Sequence, residues 1–210
     1  PRSRADFIFG GGGKYFTPRP DGRDIFQEMQ AQGYRVSRSW EKDGALPSGK
    51  TLVVAAPGNL PPPSKRGDVF RQAAVKALDT LSRNPNGFFL MIEGSNIDKA
   101  AHSNNLEEMM EELLDFDRTA GAVLDWASKH PGTLVVITAD HNTGAFALTG
   151  GSREQGEITG RFGSGSHDGV AVPVYAFGAG SGDFTGIYEN TDIFNKIMNA
   201  LKKGADKPVR

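Results

Sequence analysis

Residues 88–105 read FFLMIEGSNIDKAAHSNN. The apolar run 88–92 has no polar alternation, which is typical of a strand buried on both faces of a sheet. Glu93 follows the run directly, and Asp98 and His102 come next with a spacing of four residues, which places their side chains on one face of a helix. A carboxylate and an imidazole one helical turn apart are spaced to bind one divalent ion, each at about 2.0–2.2 Å from zinc.

The composition narrows the class of protein. The chain has 210 residues, enough for one sizeable α/β core, and we expect a single domain over residues 1–210. Its 24 basic and 25 acidic residues nearly cancel and form no basic run interleaved with aromatic residues, so we expect no nucleic-acid partner. No apolar stretch approaches about 18 residues, so we expect neither a membrane span nor a signal peptide within it. Because the chain has no cysteine, any metal must be bound by His, Asp and Glu.

A second apolar run leads to the same kind of chemistry. Residues 133–139 predict a strand, and Asp140 and His141 follow it. Adjacent side chains on a strand point to opposite faces, so the backbone must bend if both are to reach one ion. Taken alone, a capped turn with an incidental histidine is the commoner reading. Two strands that each lead into an acid and an imidazole favour a site beyond the carboxyl ends of the strands of an α/β sheet.

The third candidate segment, residues 149–169, is rich in Gly and Ser and is predicted to be a flexible loop. It contains His167, which on its own would be read as a surface residue, and a strand over residues 170–177 is predicted after it. His130 lies at the end of the longest predicted helix. We expect it to contact the terminal carbonyl groups of that helix and not to bind a metal.

The remaining pattern predicts the fold. Strands are expected near residues 7, 51, 88, 133 and 170, and helices over residues 22–32, 68–82, 106–129 and 192–201, the first of them capped by Asp21. Because strands and helices alternate, we predict an α/β fold, a three-layer α/β/α sandwich with a mostly parallel central sheet.

Four blocks of sequence together resemble the carboxyl-terminal portion of the alkaline phosphatase family. The blocks are residues 88–102, residues 138–141, residues 166–174 and residues 186–192. The resemblance implies an alkaline phosphatase-like fold and hydrolysis of small-molecule phosphate monoesters. In this chemistry two metal ions about 3.5–4 Å apart neutralise the attacking and leaving oxygens. It also implies a homodimer and a periplasmic or secreted parent enzyme.

The same resemblance implies roles for individual residues. Asp98, His102 and His167 resemble the three protein ligands of one zinc, Asp140 and His141 resemble two ligands of a second zinc, and Glu93 resembles a ligand of a magnesium ion. Lys99 is similar to a lysine that some members place beside the phosphate. The alternative for Lys99 is an ordinary solvated charge on a helix.

One part of the family pattern has no match. The serine or threonine nucleophile of the family, its phosphate-binding arginine and the hydroxyl ligand of its magnesium are not found, and Ser95, Ser103, Thr143 and Ser166 lie in other contexts. We therefore expect a fragment that supplies most of the metal ligands and is inactive alone. We expect its partner to be the missing amino-terminal half of the enzyme. Two alternatives remain open. The first is a phosphodiesterase, phosphomutase or sulfatase of the same superfamily, and the second is an inactive metal-binding fragment.

Overall fold

The computed structural model describes residues 4–40 and 49–205. The chain divides into two compact units, Pro1–Glu93 and Gly94–Arg210, where the sequence predicted one domain. No helix among the described residues is both long and apolar enough to cross a membrane.

The first unit is built on a parallel three-stranded sheet. Its strands are β1 (Phe7–Gly10), β2 (Arg35–Ser37) and β3 (Thr51–Val54), and β3 lies in the centre with β1 and β2 on either side. All four residues of β3 are buried. A central parallel strand needs apolar side chains on both faces, which explains the continuous run Leu52-Val53-Val54. The predicted strands near residues 7 and 51 are confirmed.

Three helices accompany this sheet in sequence. They are α1 (Ile25–Ala31), α2 (Pro63–Arg66) and α3 (Val69–Leu81). The apolar core of the unit combines α1 with the sheet and comprises Phe26, Met29, Tyr34, Leu52 and Val54. The cap of α1 is Asp24, whose side chain accepts a hydrogen bond from the Gln27 N–H at 3.1 Å. The predicted cap, Asp21, is wrong because its carboxylate is engaged by Arg19.

The predicted strand near residue 88 is wrong. Within the described part of the chain no strand includes residues 88–92, although the burial along them alternates with the two-residue period of an extended chain. Phe89 is 63% exposed and Met91 is 67% exposed. A strand is defined by ladder hydrogen bonds to a neighbour. An apolar run can predict the extended conformation but cannot supply that neighbour.

The second unit begins with two packed helices, α4 (Ser95–His102) and α5 (Leu106–Ser128). The side chain of Asn105 caps α5 by accepting a hydrogen bond from the Glu108 N–H at 3.2 Å. Small residues on α4 let α5 approach closely, and the buried cluster consists of Ala100, Ala101 and Met109. The helix predicted over residues 106–129 is confirmed.

Two strands of this unit form an antiparallel pair. They are β4 (Leu134–Thr138) and β9 (Val174–Gly178), and the helix α6 (Asp192–Ala205) follows β9. The mostly parallel arrangement predicted for the sheet holds for the first unit and not for this pair. The strand predicted from residue 170 begins only at Val174, directly after Pro173. Proline has no N–H to donate to a ladder, which explains the later start.

The segment predicted as a flexible loop contains a hairpin. Strands β6 (Ala147–Ser152) and β7 (Glu157–Arg161) pair antiparallel. The rings of Phe146 and Phe162 meet at its base with centroids 4.9 Å apart. The glycines that suggested a loop serve close packing instead, since a Cβ at Gly160 would overlap the Phe146 ring.

A shorter ladder brings the ends of this segment together. Strands β5 (Asn142–Thr143) and β8 (His167–Asp168) pair antiparallel, with Asn142 opposite Asp168 and Thr143 opposite His167. The ladder lies directly beside His141. It therefore carries a candidate ligand from a distant part of the sequence toward those that follow β4.

Candidate metal centre

Helix α4 supplies the first two candidate ligands. Asp98 and His102 lie one turn apart, and the Asp98 Oδ2 atom is 3.5 Å from His102 Nε2. Both side chains are about two fifths exposed, 41% for Asp98 and 40% for His102. They are therefore accessible to an ion from solvent while the helix holds their backbones fixed.

His167 completes a triangle with these two residues. Its Nε2 atom lies 3.0 Å from His102 Nε2 and 3.5 Å from Asp98 Oδ1. Two ligand atoms that bind one zinc tetrahedrally at about 2.0–2.1 Å are separated by about 3.3 Å. The observed separations bracket that value, so the donor atoms of these three residues fit one zinc-sized ion.

Hydrogen bonding fixes which nitrogen of His102 faces the triangle. Its Nδ1 atom lies 2.8 Å from the backbone oxygen of Gly165. A carbonyl oxygen can only accept a hydrogen bond, so the Nδ1 atom of His102 carries the proton and donates this hydrogen bond. In the neutral ring, Nε2 is then left with its lone pair toward Asp98 and His167. A histidine ligand with its other nitrogen donating to a carbonyl is the usual arrangement around bound metals.

His141 joins the same cluster from the loop after β4. Ligand atoms of Asp98, His141 and His167 all lie within 4.8 Å of one another, and the His141 and His167 rings stack with centroids 3.6 Å apart. Asp140 is beside it, with its Oδ2 atom 3.2 Å from His141 Nε2, and its side chain is 85% exposed. The loop thus places His141 inside the cluster and Asp140 at its solvent edge.

A hydroxyl group connects His141 with Asp98. Thr143 donates a hydrogen bond of 2.6 Å to Asp98 Oδ1, and His141 Nδ1 lies 3.2 Å from the same Thr143 oxygen. Because the hydroxyl proton is used on Asp98, the oxygen must accept from His141 Nδ1–H. This leaves Nε2 of a neutral His141 as the available ligand atom. One threonine, only 9% exposed, therefore contacts two candidate ligands, Asp98 on α4 and His141 after β4.

Two further predicted site residues, Glu93 and Lys99, are exposed. Glu93 is the last residue of the first unit. Lys99 lies on α4 beside Asp98, and its side chain is exposed. The Nδ1 atom of His130 lies 2.7 Å from the Trp126 carbonyl near the end of α5, which confirms the predicted contact with a terminal carbonyl group of that helix.

Sequence reasoning missed two residues that contact candidate ligands, Thr143 and Gly165. In the sequence, Thr143 is recognisable only as a hydroxyl residue near a motif. A usable signal was present, since Thr143 lies two residues after His141, and side chains two apart on a strand share a face. Gly165 acts through its backbone oxygen, for which no side-chain pattern exists.

The alkaline phosphatase family model matches residues 2–161 of the chain. The chain belongs to the alkaline phosphatase family. His167 lies beyond the residues matched by that model, yet the fold brings it into contact with His102 inside them.

Similar alkaline phosphatases and their structures extend this comparison. Alkaline phosphatase 4 of Bacillus subtilis is 28% identical over 97% of this chain, and streptomycin-6-phosphate phosphatase of Streptomyces griseus is 31% identical over 95% of it. The chain spans 59% of the first relative and 56% of the second, little more than half of their lengths.

Solved structures show the fold. The alkaline phosphatase of the Antarctic bacterium TAB5 has a TM-score of 0.87 and 35% identity, covering 95% of this chain and 61% of that enzyme. A variant of the TAB5 enzyme was solved with magnesium bound in its M3 site. The α/β fold of this chain is alkaline phosphatase-like, as the sequence predicted.

Proposed function

We propose that this chain supplies most of the ligands of a two-zinc and magnesium centre for the hydrolysis of phosphate monoesters. The observation that carries the proposal is the convergence of Asp98, His102, His141 and His167, which come from three separate segments, on one small volume. Convergence of imidazole and carboxylate groups without a thiolate matches the ligand preference of zinc in catalytic sites.

The proposed ligand sets follow the family resemblance. Asp98, His102 and His167 would hold one zinc, and their triangle of donor atoms supports that grouping. Asp140 and His141 would contribute two ligands to the second zinc. Glu93 would contribute one ligand to magnesium, and Lys99 would approach the phosphate through its exposed ammonium group.

Two bound metal ions stabilise both the attacking and the leaving oxygen of an in-line displacement at phosphorus. The residues of this chain would hold the two metal ions in place. Asp98 would lower the net positive charge of the bound metal ions, while the hydrogen bonds of His102 to Gly165 and of His141 to Thr143 would keep one nitrogen of each ring available as a ligand. Because the side chains of Asp98, His102 and His167 are partly exposed, a small phosphate ester would reach them from solvent.

We propose that the 210-residue chain alone has negligible phosphatase turnover, because no hydroxyl group matches the nucleophile of the family. The nearby hydroxyls have other partners: Thr143 donates to Asp98, and Ser103 donates to the Lys99 carbonyl. The test is hydrolysis of an aryl phosphate by the purified chain with zinc and magnesium. Steady turnover that disappears in Asp98→Ala would overturn this part of the proposal, and phosphodiester and sulfate ester substrates in the same assay would separate the related activities.

Titration of zinc into metal-free protein tests the centre itself. The metal affinity of each proposed site should increase with the number of its ligands that this chain contains. Tight zinc binding should vanish in His102→Ala and survive in Glu93→Ala. His130→Ala is the matched control, since it removes an imidazole that lies outside the cluster. Equal loss of binding in His102→Ala and Glu93→Ala would refute the ranking.

The resemblance extends the proposal to the whole enzyme. We propose that the missing amino-terminal half supplies the nucleophile, that the enzyme is a homodimer, and that it acts in the periplasm or outside the cell. If the amino-terminal half supplies the nucleophile, co-expression with an amino-terminal half of a related alkaline phosphatase should restore turnover. Size-exclusion chromatography with light scattering tests whether the enzyme is a homodimer.

A further inference from the structure

The carboxylate of Asp168 connects the two chain segments that carry His141 and His167. Asn142 Nδ2 donates to its Oδ1 and Oδ2 atoms at 3.1 and 2.9 Å, the Ala145 N–H donates to Oδ2 at 3.1 Å, and the Val170 N–H donates to Oδ1 at 3.1 Å. A carboxylate has about four lone-pair sites, so these donors use nearly all of its capacity. Together these contacts form the Asp168 clasp.

The ladder between β5 and β8 separates the clasp from the ligands. Thr143 pairs with His167, and Asn142 pairs with Asp168. Successive side chains of a strand point to opposite faces, so Thr143 and His167 share the face that meets Asp98, while Asn142 and Asp168 share the other. Asp168 therefore lies behind the candidate ligands and is not one of them.

The ladder is too short to hold its own geometry. It contains two residues from each strand, and even a longer isolated two-stranded hairpin is only marginally stable. The chain also turns sharply after β5, where Gly144 has φ +80° and Ala145 has φ +45°. A left-handed conformation is disfavoured for alanine and persists only where its surroundings enforce it. The hydrogen bond from the Ala145 N–H to Asp168 is one such constraint.

We propose that Asp168 is a positioning residue that holds His167 and His141 at the separation needed to bind metal. This inference rests on the proposed function for the identity of the ion. It assigns to Asp168 the role of holding the ligand segments in register before an ion arrives. A preformed site has a higher affinity because less chain order is lost on binding.

The metal arm of the test compares the full 210-residue chain with Asp168→Ala and Asp168→Asn. We expect zinc affinity to fall by about 10- to 100-fold in Asp168→Ala, the usual effect of removing a partner that orients ligands. Asp168→Asn keeps one acceptor oxygen and should lose less. The visible spectrum of bound cobalt(II), which reports ligand geometry, should change in Asp168→Ala. Zinc affinity and a cobalt spectrum equal to those of the unaltered chain would overturn the inference.

A second arm works without metal. Amide hydrogen exchange over residues 142–145 and 167–170 should accelerate in Asp168→Ala and not in Asp183→Asn, because Asp183 accepts from Lys203 and from neither ligand segment. If the unaltered chain binds no zinc, the proposed function fails. The hydrogen-exchange measurement alone then tests whether Asp168 holds the two segments together. Unchanged exchange at these amides would then overturn the inference.

Discussion

Replacing Thr143 by valine removes one hydroxyl and preserves the shape of the side chain. Thr143 is 9% exposed, and its hydroxyl both donates to Asp98 Oδ1 and accepts from His141 Nδ1. The variant should therefore leave packing intact while it releases two candidate ligands, Asp98 and His141. We expect weaker zinc binding without a large loss of folding stability.

The size of the effect follows from these two contacts. A hydrogen bond to a charged group contributes about 1.5–3 kcal/mol, and a neutral one about 1 kcal/mol. The Asp98 side chain is 41% exposed, so water can replace the lost donor and the net effect should lie at the low end. A loss of about 1.4 kcal/mol corresponds to about a tenfold rise in Kd for zinc.

The assay is competition for zinc between the protein and a chromophoric chelator. Thr143→Ser is the control, because it restores the hydroxyl and should bind zinc close to the level of the unaltered chain. Circular dichroism should show the same secondary structure in all three proteins. If Thr143→Val binds zinc as tightly as Thr143→Ser, the hydroxyl does not orient the ligands and the reasoning is refuted.

Two further predictions concern local stability. The Arg19 guanidinium donates hydrogen bonds to Asp21 and lowers the pKa of that carboxyl from 3.8 to about 2. Because the pKa of Asp21 is lower in the folded state than in the unfolded state, the pair stabilises the fold above pH 3.8. This contribution is lost as the pH falls through about 2. An NMR titration should find the Asp21 pKa back near its ordinary value in Arg19→Ala, and an unchanged pKa would contradict the assignment. Gly160→Ala should destabilise the chain by about 1–3 kcal/mol through overpacking against the Phe146 ring. The loss, measured by urea unfolding, should shrink in a Phe146→Leu background, and an equal loss in both backgrounds would rule out that contact.

Sequence alone predicted much of this protein from local patterns. The spacing of Asp98 and His102 placed both on one helical face, and the structure confirms that they lie on α4. Continuous apolar runs predicted β3, which is buried along its whole length, and β4, which is only partly buried. The motif blocks also identified the family, which the family model confirms.

Other features depended on partners distant in sequence. The apolar run at residues 88–92 predicted a strand, yet in the described part of the chain it has no ladder, because a strand requires a neighbour that the run cannot specify. The glycines of residues 149–169 predicted a loop. In the structure they allow the β6–β7 hairpin to pack against aromatic rings.

The site divides in the same way. The candidate ligands could be named from the sequence, because each residue type carries its own chemistry. Only the tertiary structure brought His167 to 3.0 Å from His102 and placed the Thr143 hydroxyl between His141 and Asp98. These contacts join residues as far as 65 positions apart. Their geometry depends on a two-residue ladder and on backbone turns, which side-chain patterns do not encode.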